Sequence, residues 1–467
     1  MTKQTTFEAT DAFGWSAFAN KLEAFLITER GFVDGSLVVS LNAPFGSGKT
    51  TFIHMWKNHL DGRQESEPQT PLCILLNAWE DDYCGDPLLS LVDAIEKELE
   101  IRGPDKETKQ GLDSLRDATR DVGWYMLGMA NSVVGHWTGL DPEGAGEFAE
   151  SKKSKRKETP PRPDILALFQ GRKEALRRLK DALRSLFSKN DRSVLLLVDE
   201  LDRCRPDFAV QYLETIKHLF DVDGLAFVLA VDLKQLENSA RALFGDGLNF
   251  PEYFRKFAHR NIQLPKPDSQ GIANLVAKYT DKYLDDPSEE SPRRKSWMII
   301  RDARRSLVEM SSSLDLTPRQ IQEAFRIVGH LTAGQPGEKK ELFYHLTASS
   351  IFLAFLSLGM PSEFQQIAAG QMHLKQLLDL VVRFLPKKNL DWWAFVLALT
   401  HSGDDDRLDF PMIQAEFASH GIIAKDMTEE EFRNRVGGFH VPTYGASSLS
   451  QIARKITETE RFARLTP

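Results

Sequence analysis

Cysteine is scarce in this chain. Cys73, Cys84 and Cys204 are the only three in 467 residues, and no two stand in a C-x-x-C spacing. So sparse and odd a set excludes a disulfide framework and a cysteine zinc site, and it fits a reducing, cytoplasmic compartment. A surplus of positive charge is missing too. The net charge of −8 at pH 7 speaks against a general nucleic-acid binder, which needs a basic excess to meet phosphates, although a local basic face is still compatible with it. The first residues, MTKQTTFEATDAFGW, lack the apolar core of a signal peptide. Long hydrophobic runs are nearly absent. Residues 122–140 carry no formal charge and reach the roughly 17–20 residues needed to span a bilayer, yet they include four glycines together with Asn131, Ser132 and Thr138. A buried or interfacial hairpin is the expectation there, with peripheral membrane contact the lesser reading. The apolar run Ala348 to Met360 is too short to span and reads as a core helix.

Hydrophobic and charged fractions are those of an ordinary globular protein, and the length implies more than one domain. Five short aliphatic runs read as strands of a buried parallel sheet: Leu37–Leu41, Leu72–Leu76, Val194–Val198, Ala226–Ala230 and Asn261–Leu264. Amphipathic helical patterns alternate with them, for instance Phe208 to Phe220. That alternation predicts a doubly wound α/β domain with right-handed crossovers. The gap between the second and third strands is long. It holds a helical stretch, Pro87 to Ile101, then the segment 122–140. A Gly/Glu/Lys/Pro-rich run follows, 141–163, with Lys152, Lys153, Lys155, Arg156 and Lys157, and its composition suits a mobile loop. A helix from Asp164 to Lys189 leads back to the sheet. Its basic residues, among them Arg172, Lys173, Arg177, Arg178, Lys180 and Arg184, are expected to form a solvated face. Beyond Pro265 the periodicity is helical: Ser269–Leu284, Ser296–Ser311, Pro318–Leu331, Lys339–Leu358 and Leu374–Phe384. The predicted organisation is an α/β core over 1–265, with an insertion at about 102–163, and an all-α lid and C-terminal domain over 266–467.

The strongest chemical signal is Ala43-Pro-Phe-Gly-Ser-Gly-Lys-Thr50, directly after the first strand and opening a helix. This is a phosphate-binding loop of the Walker A type, and Pro44, Phe45, Gly46, Ser47, Gly48, Lys49, Thr50 and Thr51 are the candidate nucleotide-binding residues. Gly46 and Gly48 let the backbone turn its N–H groups toward phosphates without a clashing Cβ. Lys49 supplies a cation for the β- and γ-phosphates, and the Thr50 hydroxyl completes a Mg²⁺ shell. The helix N-terminus adds its dipole. A second signal is Val194-Leu-Leu-Leu-Val-Asp-Glu200, a buried strand ending in two acids. Asp199 fits the acidic partner that Mg²⁺ needs, and Glu200 is placed to polarise an attacking water. The fourth strand ends in Asp232, either a γ-phosphate sensor or the N-cap of the helix starting at Leu233. It is expected between the two motif strands. Lys49, Glu200 and Asp232 are thus the catalytic candidates, and Thr50 and Asp199 the metal ligands.

The run Val198-Asp-Glu-Leu-Asp-Arg-Cys-Arg-Pro-Asp207 resembles the signature of the KAP family of P-loop NTPases. Other segments resemble that family in order: Asp11 to Ala19, Asn77-Ala-Trp79, Ala230-Val-Asp232, Tyr253-Phe-Arg-Lys256, Ile262 to Pro265 and Thr317-Pro-Arg-Gln320. Together they cover roughly residues 8–330. The chain departs from the family pattern at Ala43 and Phe45, usually Gly and Trp, and at Glu200, often Asp. The resemblance implies ATP rather than GTP as the nucleotide, a strand added in the centre of the sheet, and a catalytic glutamate. It also implies a setting common among bacterial members, gene clusters for phage defence in which the ATPase stands beside an effector. Arg255 and Arg260, before the fifth strand, are candidate arginine fingers for a neighbouring subunit of a homo-oligomer. Arg319 is a candidate γ-phosphate sensor, and Arg203 either of these or a partner of Asp199 or Asp202. The expected function is a Mg²⁺-dependent ATPase acting as a switch or assembly device, passing its state to neighbouring copies or to an effector protein encoded nearby. The alternatives are a P-loop kinase, disfavoured by Glu200 beside Asp199, a slowly hydrolysing nucleotide-dependent scaffold, and a membrane-associated organiser.

Overall fold

The computed structural model describes residues 6–7, 11–64, 66–67, 70–103, 106–137, 165–188, 193–283, 304–332, 344–402, 409–437, 439 and 448–463. The loop expected at 141–163 lies outside them. Contacts divide the described residues into two compact units. The first holds Trp15–Pro44 and Lys49–Leu264 with the start of the chain, and the second holds Asp11–Gly14, Phe45–Gly48 and the residues from Pro265 onward.

In the first unit, helix α1 (Trp15–Arg30) precedes strand β1 (Leu37–Asn42) and helix α2 (Lys49–Arg63). Strand β2 (Leu72–Asn77), the single turn α3 (Ala78–Asp81) and helix α4 (Pro87–Ile101) follow. The insertion is two helices, α5 (Lys106–Trp137) and α6 (Ile165–Ser188). Strand β3 (Val194–Asp199), helix α7 (Pro206–Leu219), strand β4 (Leu225–Val231), helix α8 (Leu233–Phe244), the short α9 (Phe250–Phe254) and strand β5 (Arg260–Gln263) complete it. The five strands form one parallel sheet in the order β2-β3-β4-β1-β5. Every residue of β3 and of β4 is buried. Strands covered on both faces must be apolar throughout, which is why LLLV and LAFVLAV read as continuous rather than alternating runs. The doubly wound α/β prediction holds, with β4 lying between β3 and β1 as expected for an added central strand.

Aromatic side chains fill the space between helices and sheet. Trp15, Phe52 and Trp56 pack with ring centroids 5.8 Å apart, and Phe220 meets Phe227 edge-on at 6.2 Å. Each such ring, fully removed from water, stabilises the unit by about 1.5–3 kcal/mol.

Residues 122–137 do not form a hairpin. They continue α5 without a break. The reason lies upstream: Leu112, Leu115, Ala118 and Val122 are buried at helical spacing, which fixes one face of α5 on the core. Glycine inside a helix costs only about 1 kcal/mol against alanine, so the glycines do not end it. At Gly111 an added Cβ would stand 2.8 Å from Leu186 Cδ1 of α6, so the small residue permits the close approach of these two helices. Lys173, Arg177, Arg178 and Arg184 of α6 are exposed; Arg177 pairs with Glu174 and Asp181, and Arg178 with Asp121. Among the described residues no helix is long and apolar enough to cross a membrane.

The regular elements of the second unit, among the described residues, are helices: α10 (Ser269–Tyr283), α11 (304–313), α12 (Pro318–Thr332), α13 (Tyr344–Gly359), α14 (Pro361–Ala368), α15 (Leu374–Phe384), α16 (Leu390–Ser402), α17 (Phe410–Ser419), α18 (Glu429–Gly437) and α19 (Leu449–Ala463). The run from Ile351 to Leu356 is entirely buried, so α13 is the central core helix anticipated from Ala348 to Met360. Phe325 and Phe355 meet edge-on at 5.6 Å, and Ser349 and Thr400 hydroxyls satisfy one another at 3.0 Å within the apolar interior.

Candidate active site

Parallel strands deliver their C-terminal ends to one edge of the sheet, and the chemically distinctive residues of the first unit gather there. Strand β1 runs on through Ala43, whose N–H donates to the Val231 carbonyl at 3.2 Å. The chain then turns at Gly46 (φ 81°) and Gly48 (φ 101°) into α2, backbone angles that an L side chain resists. Lys49, the first residue of α2, is buried, and its Nζ donates to the Ala43 carbonyl at 2.7 Å. Thr51 is exposed, as are Pro44 and Phe45.

Asp199 ends β3 and is buried. Burial raises its pKa above the ordinary carboxylate range, with Glu200 and Asp202 adding repulsion, while the Thr50 hydroxyl and the Glu200 N–H donate to it and oppose the rise. A desolvated carboxylate already joined to a threonine hydroxyl at the head of a phosphate-loop helix is a hard-oxygen pair that suits Mg²⁺, which normally takes few protein ligands and completes its shell from phosphates and water. Among the described residues no group of three or more His, Cys, Asp or Glu side chains could cage a metal; Thr50 and Asp199 would hold Mg²⁺ if it binds at this edge.

Glu200 follows in a left-handed conformation, φ 62° and ψ 18°. For a non-glycine residue that is sparsely populated and strained. Its two carboxylate oxygens are both engaged: Arg203 Nη2 lies 2.8 Å from Oε1, and Asn77 Nδ2 donates to Oε2 at 3.3 Å. Asn77 is the last residue of β2, and its Oδ1 caps α3 by accepting from the Trp79 N–H at 3.1 Å. The Arg203 guanidinium also lies over the half-exposed Trp79 ring, 5.6 Å from its centroid. The turn Leu201–Arg203 brings Arg203 back onto Glu200, three residues earlier, a pairing that the sequence did not suggest.

Asp232 caps α8, its carboxylate accepting from the Lys234 N–H at 3.1 Å. The backbone around it is held by two side chains that sequence reasoning did not assign to the site. Asp202 Oδ2 accepts from the Asp232 N–H at 3.0 Å, and Asn42 Oδ1 from the Leu233 N–H at 3.0 Å. Cys204 is buried with its thiol pushed up to about 12 by desolvation, a packing residue rather than a nucleophile.

Lys49, Thr50, Asp199, Glu200 and Asp232 thus converge, whereas Arg255 and Arg260 stand apart from them. Arg260 begins β5 opposite Val39, three residues before the C-terminal end of β1 that leads into the phosphate loop, and pairs with the buried Glu29 at 2.8 Å. Arg255 is exposed, with no side-chain partner among the described residues.

Within the second unit, Phe45–Gly48 belong with α12. The Arg319 N–H donates to the Gly46 carbonyl at 3.2 Å, and the Arg319 guanidinium lies 4.7 Å from the Phe45 ring centroid. A Cβ on Gly46 would stand 2.8 Å from Arg319 Cβ. Ser47 Oγ is buried without a hydrogen-bond partner, an orphaned polar atom in the loop expected to meet phosphate.

Residues 17–334 match the family described as the KAP family P-loop domain. The chain belongs to the KAP family. No curated protein matches it. Among solved structures, the KAP chain is similar to the Aeropyrum pernix ORC2 protein in its ADPNP-ADP complexes, with 14% identity over 96% of this chain and 95% of that one and a TM-score of 0.33. It is also similar to the Aeropyrum pernix ORC1 protein in complex with DNA, with 12% identity over 97% and 94% and a TM-score of 0.28.

Proposed function

We propose that this KAP-family protein is a Mg²⁺-dependent ATPase whose nucleotide state acts as a switch, passed to further copies of itself or to an effector protein. The observation that carries this reading is the joining of Thr50 to Asp199 at the strand tips, with Lys49 and Glu200 beside them. That set supplies a phosphate cation, a metal shell and a water-polarising carboxylate, the groups that nucleotide hydrolysis needs. Arg255, exposed and without a side-chain partner among the described residues, suits an arginine finger better than Arg260, which Glu29 already holds. A role in phage defence is part of the proposal and is supported by family resemblance alone, as is the preference for ATP.

A second reading, a slowly hydrolysing scaffold, has a specific observation in its favour: both oxygens of Glu200 are held by Asn77 and Arg203. The test measures ATP and GTP binding, hydrolysis with Mg²⁺, and particle size with and without nucleotide, for the wild type and Lys49→Ala. ATP turnover that Lys49→Ala abolishes, with a nucleotide-dependent change of size, sustains the switch. Tight binding with negligible turnover moves the conclusion to the scaffold.

A further inference from the structure

The three acids of the Asp199-Glu200-Leu201-Asp202 run do different things, and the third has no part in the chemistry assigned so far. Its side chain is only 6% exposed. One oxygen, Oδ2, accepts from the Asp232 N–H at 3.0 Å and lies 3.6 Å from Lys49 Nζ, itself nearly buried. At that separation the lysine contact is an ion pair rather than a hydrogen bond, since the short bond of Lys49 goes to the Ala43 carbonyl at 2.7 Å. Charge is also unevenly shared here. Arg203 pairs with Glu200 at 2.8 Å, and Lys49 is the cation lying against Asp202 among the described residues.

We propose that Asp202 is a positioning residue of the phosphate site: its carboxylate ties the Lys49 ammonium and the end of β4 to one point, and it competes with nucleotide phosphates for that ammonium. The inference rests on the ATPase reading above and names how its lysine is controlled. A nucleotide that enters must draw Lys49 partly away from Asp202, so part of the attraction between lysine and phosphate is offset before the reaction and recovered when Asp202 is released. The same movement reaches the Asp232 N–H through the shared Oδ2. Occupancy of the phosphate loop is thereby coupled to the strand that carries the candidate sensor.

Asp202→Asn separates the two parts of the role. The amide oxygen still accepts from the Asp232 N–H, but the charge facing Lys49 is gone. Asp202→Ala removes both. The experiment titrates a fluorescent ATP analogue and measures steady-state ATP hydrolysis with Mg²⁺, for the wild type, Asp202→Asn, Asp202→Ala, Lys49→Ala and Lys49→Ala/Asp202→Asn, with thermal unfolding of each. The expected result is that Asp202→Asn unfolds close to the wild type, binds nucleotide about 3–10-fold more tightly with a lower KM, and turns over about 10-fold more slowly. In the Lys49→Ala background the same substitution should change binding less than twofold, because the two residues act on one another. Asp202→Ala should unfold at lower temperature as well. Binding and turnover within twofold of the wild type in Asp202→Asn overturn the role while leaving the ATPase reading intact. Weaker binding that tracks lost stability, or an equal effect with and without Lys49, also overturns it, since Asp202 would then serve the fold alone. A wild type that neither binds nor hydrolyses ATP fails the ATPase reading, and the Asp202 role fails with it.

Discussion

Glu200→Gln changes one atom and one charge, and its consequences for stability and for catalysis differ enough in size to be read apart. The amide oxygen of Gln can keep its contact with Arg203, now without the charge. Hydrogen bonds to charged groups contribute about 1.5–3 kcal/mol and neutral ones about 0.5–1.5 kcal/mol; with Arg203 a third exposed, solvent screening brings the loss to about 1 kcal/mol or less. The amide nitrogen would then face Asn77 Nδ2, donor to donor, across the present 3.3 Å. Asn77 cannot turn over without releasing the cap on α3, which adds up to about another 1 kcal/mol. The two together lower Tm by about 2–8 °C for a domain of this size. Removing a carboxylate that polarises the attacking water lowers the rate by about 10²–10⁴, roughly 3–5 kcal/mol in barrier height. Nucleotide binding should hold or tighten, because one negative charge leaves the phosphate site. Phosphate release at saturating ATP and Mg²⁺, nucleotide titration and thermal unfolding measure the three effects. Turnover within threefold of the wild type, in a protein that binds ATP normally, would refute the assignment of Glu200 as the water-polarising acid.

Two further predictions separate neighbouring residues. Arg260→Ala should lower Tm with little change in turnover, since it leaves the buried Glu29 without its partner. Arg255→Ala should leave Tm in place and lower turnover most at protein concentrations where the chain self-associates; thermal unfolding and hydrolysis across a concentration series check both. His259 accepts the Val38 N–H on Nδ1 at 3.0 Å, and burial together with Lys217 lowers its pKa. The unfolded chain therefore binds the proton more readily, so this contribution to stability is complete above the unfolded value of about 6.5 and falls as the pH drops through it toward the lowered native value. His259→Asn offers an acceptor that does not titrate, and its Tm should fall less than that of the wild type between pH 7.5 and 5.5; parallel curves would remove His259 from the account.

The sheet was legible because β3 and β4 carry no polar residue before their ends, and only burial on both faces tolerates such runs. The phosphate loop was legible because glycines and Lys49 fall at fixed offsets after a strand. The segment 122–137 misled because its glycines suggested a turn, whereas the face of α5 that decides its course lies earlier, at Leu112 to Val122. The roles of Asn42, Asn77 and Asp202 were hidden for a different reason. Each is a short polar side chain at a strand end or in a tight turn, and each acts on backbone or side chains distant in sequence: Asn42 on Leu233, Asn77 on Glu200, Asp202 on Asp232 and Lys49. Nothing in local spacing announces such partners. Asp202 carried the one available signal, a third acid in the signature run. The pairing of Arg203 with Glu200 went unread because the left-handed turn at Glu200, which folds the chain back on itself, has no glycine to mark it.

The chain leaves the sheet at Asn77 and re-enters at Val194, yet β2 and β3 are immediate neighbours, with Leu72 opposite Val194. A parallel crossover needs a dozen or so residues, and α4 alone supplies them. The α5–α6 pair is therefore a detour that the register of the strands does not sense. Closing a loop twice as long costs only about 0.6 kcal/mol more, so residues could be gained or lost between Val122 and Ala175 over many generations with little penalty, while the buried Leu179, Leu183 and Phe187 of α6 keep their places and Asp199 is not displaced. This is the place in the first unit where lineages can diverge in size and surface while the phosphate chemistry stays constant.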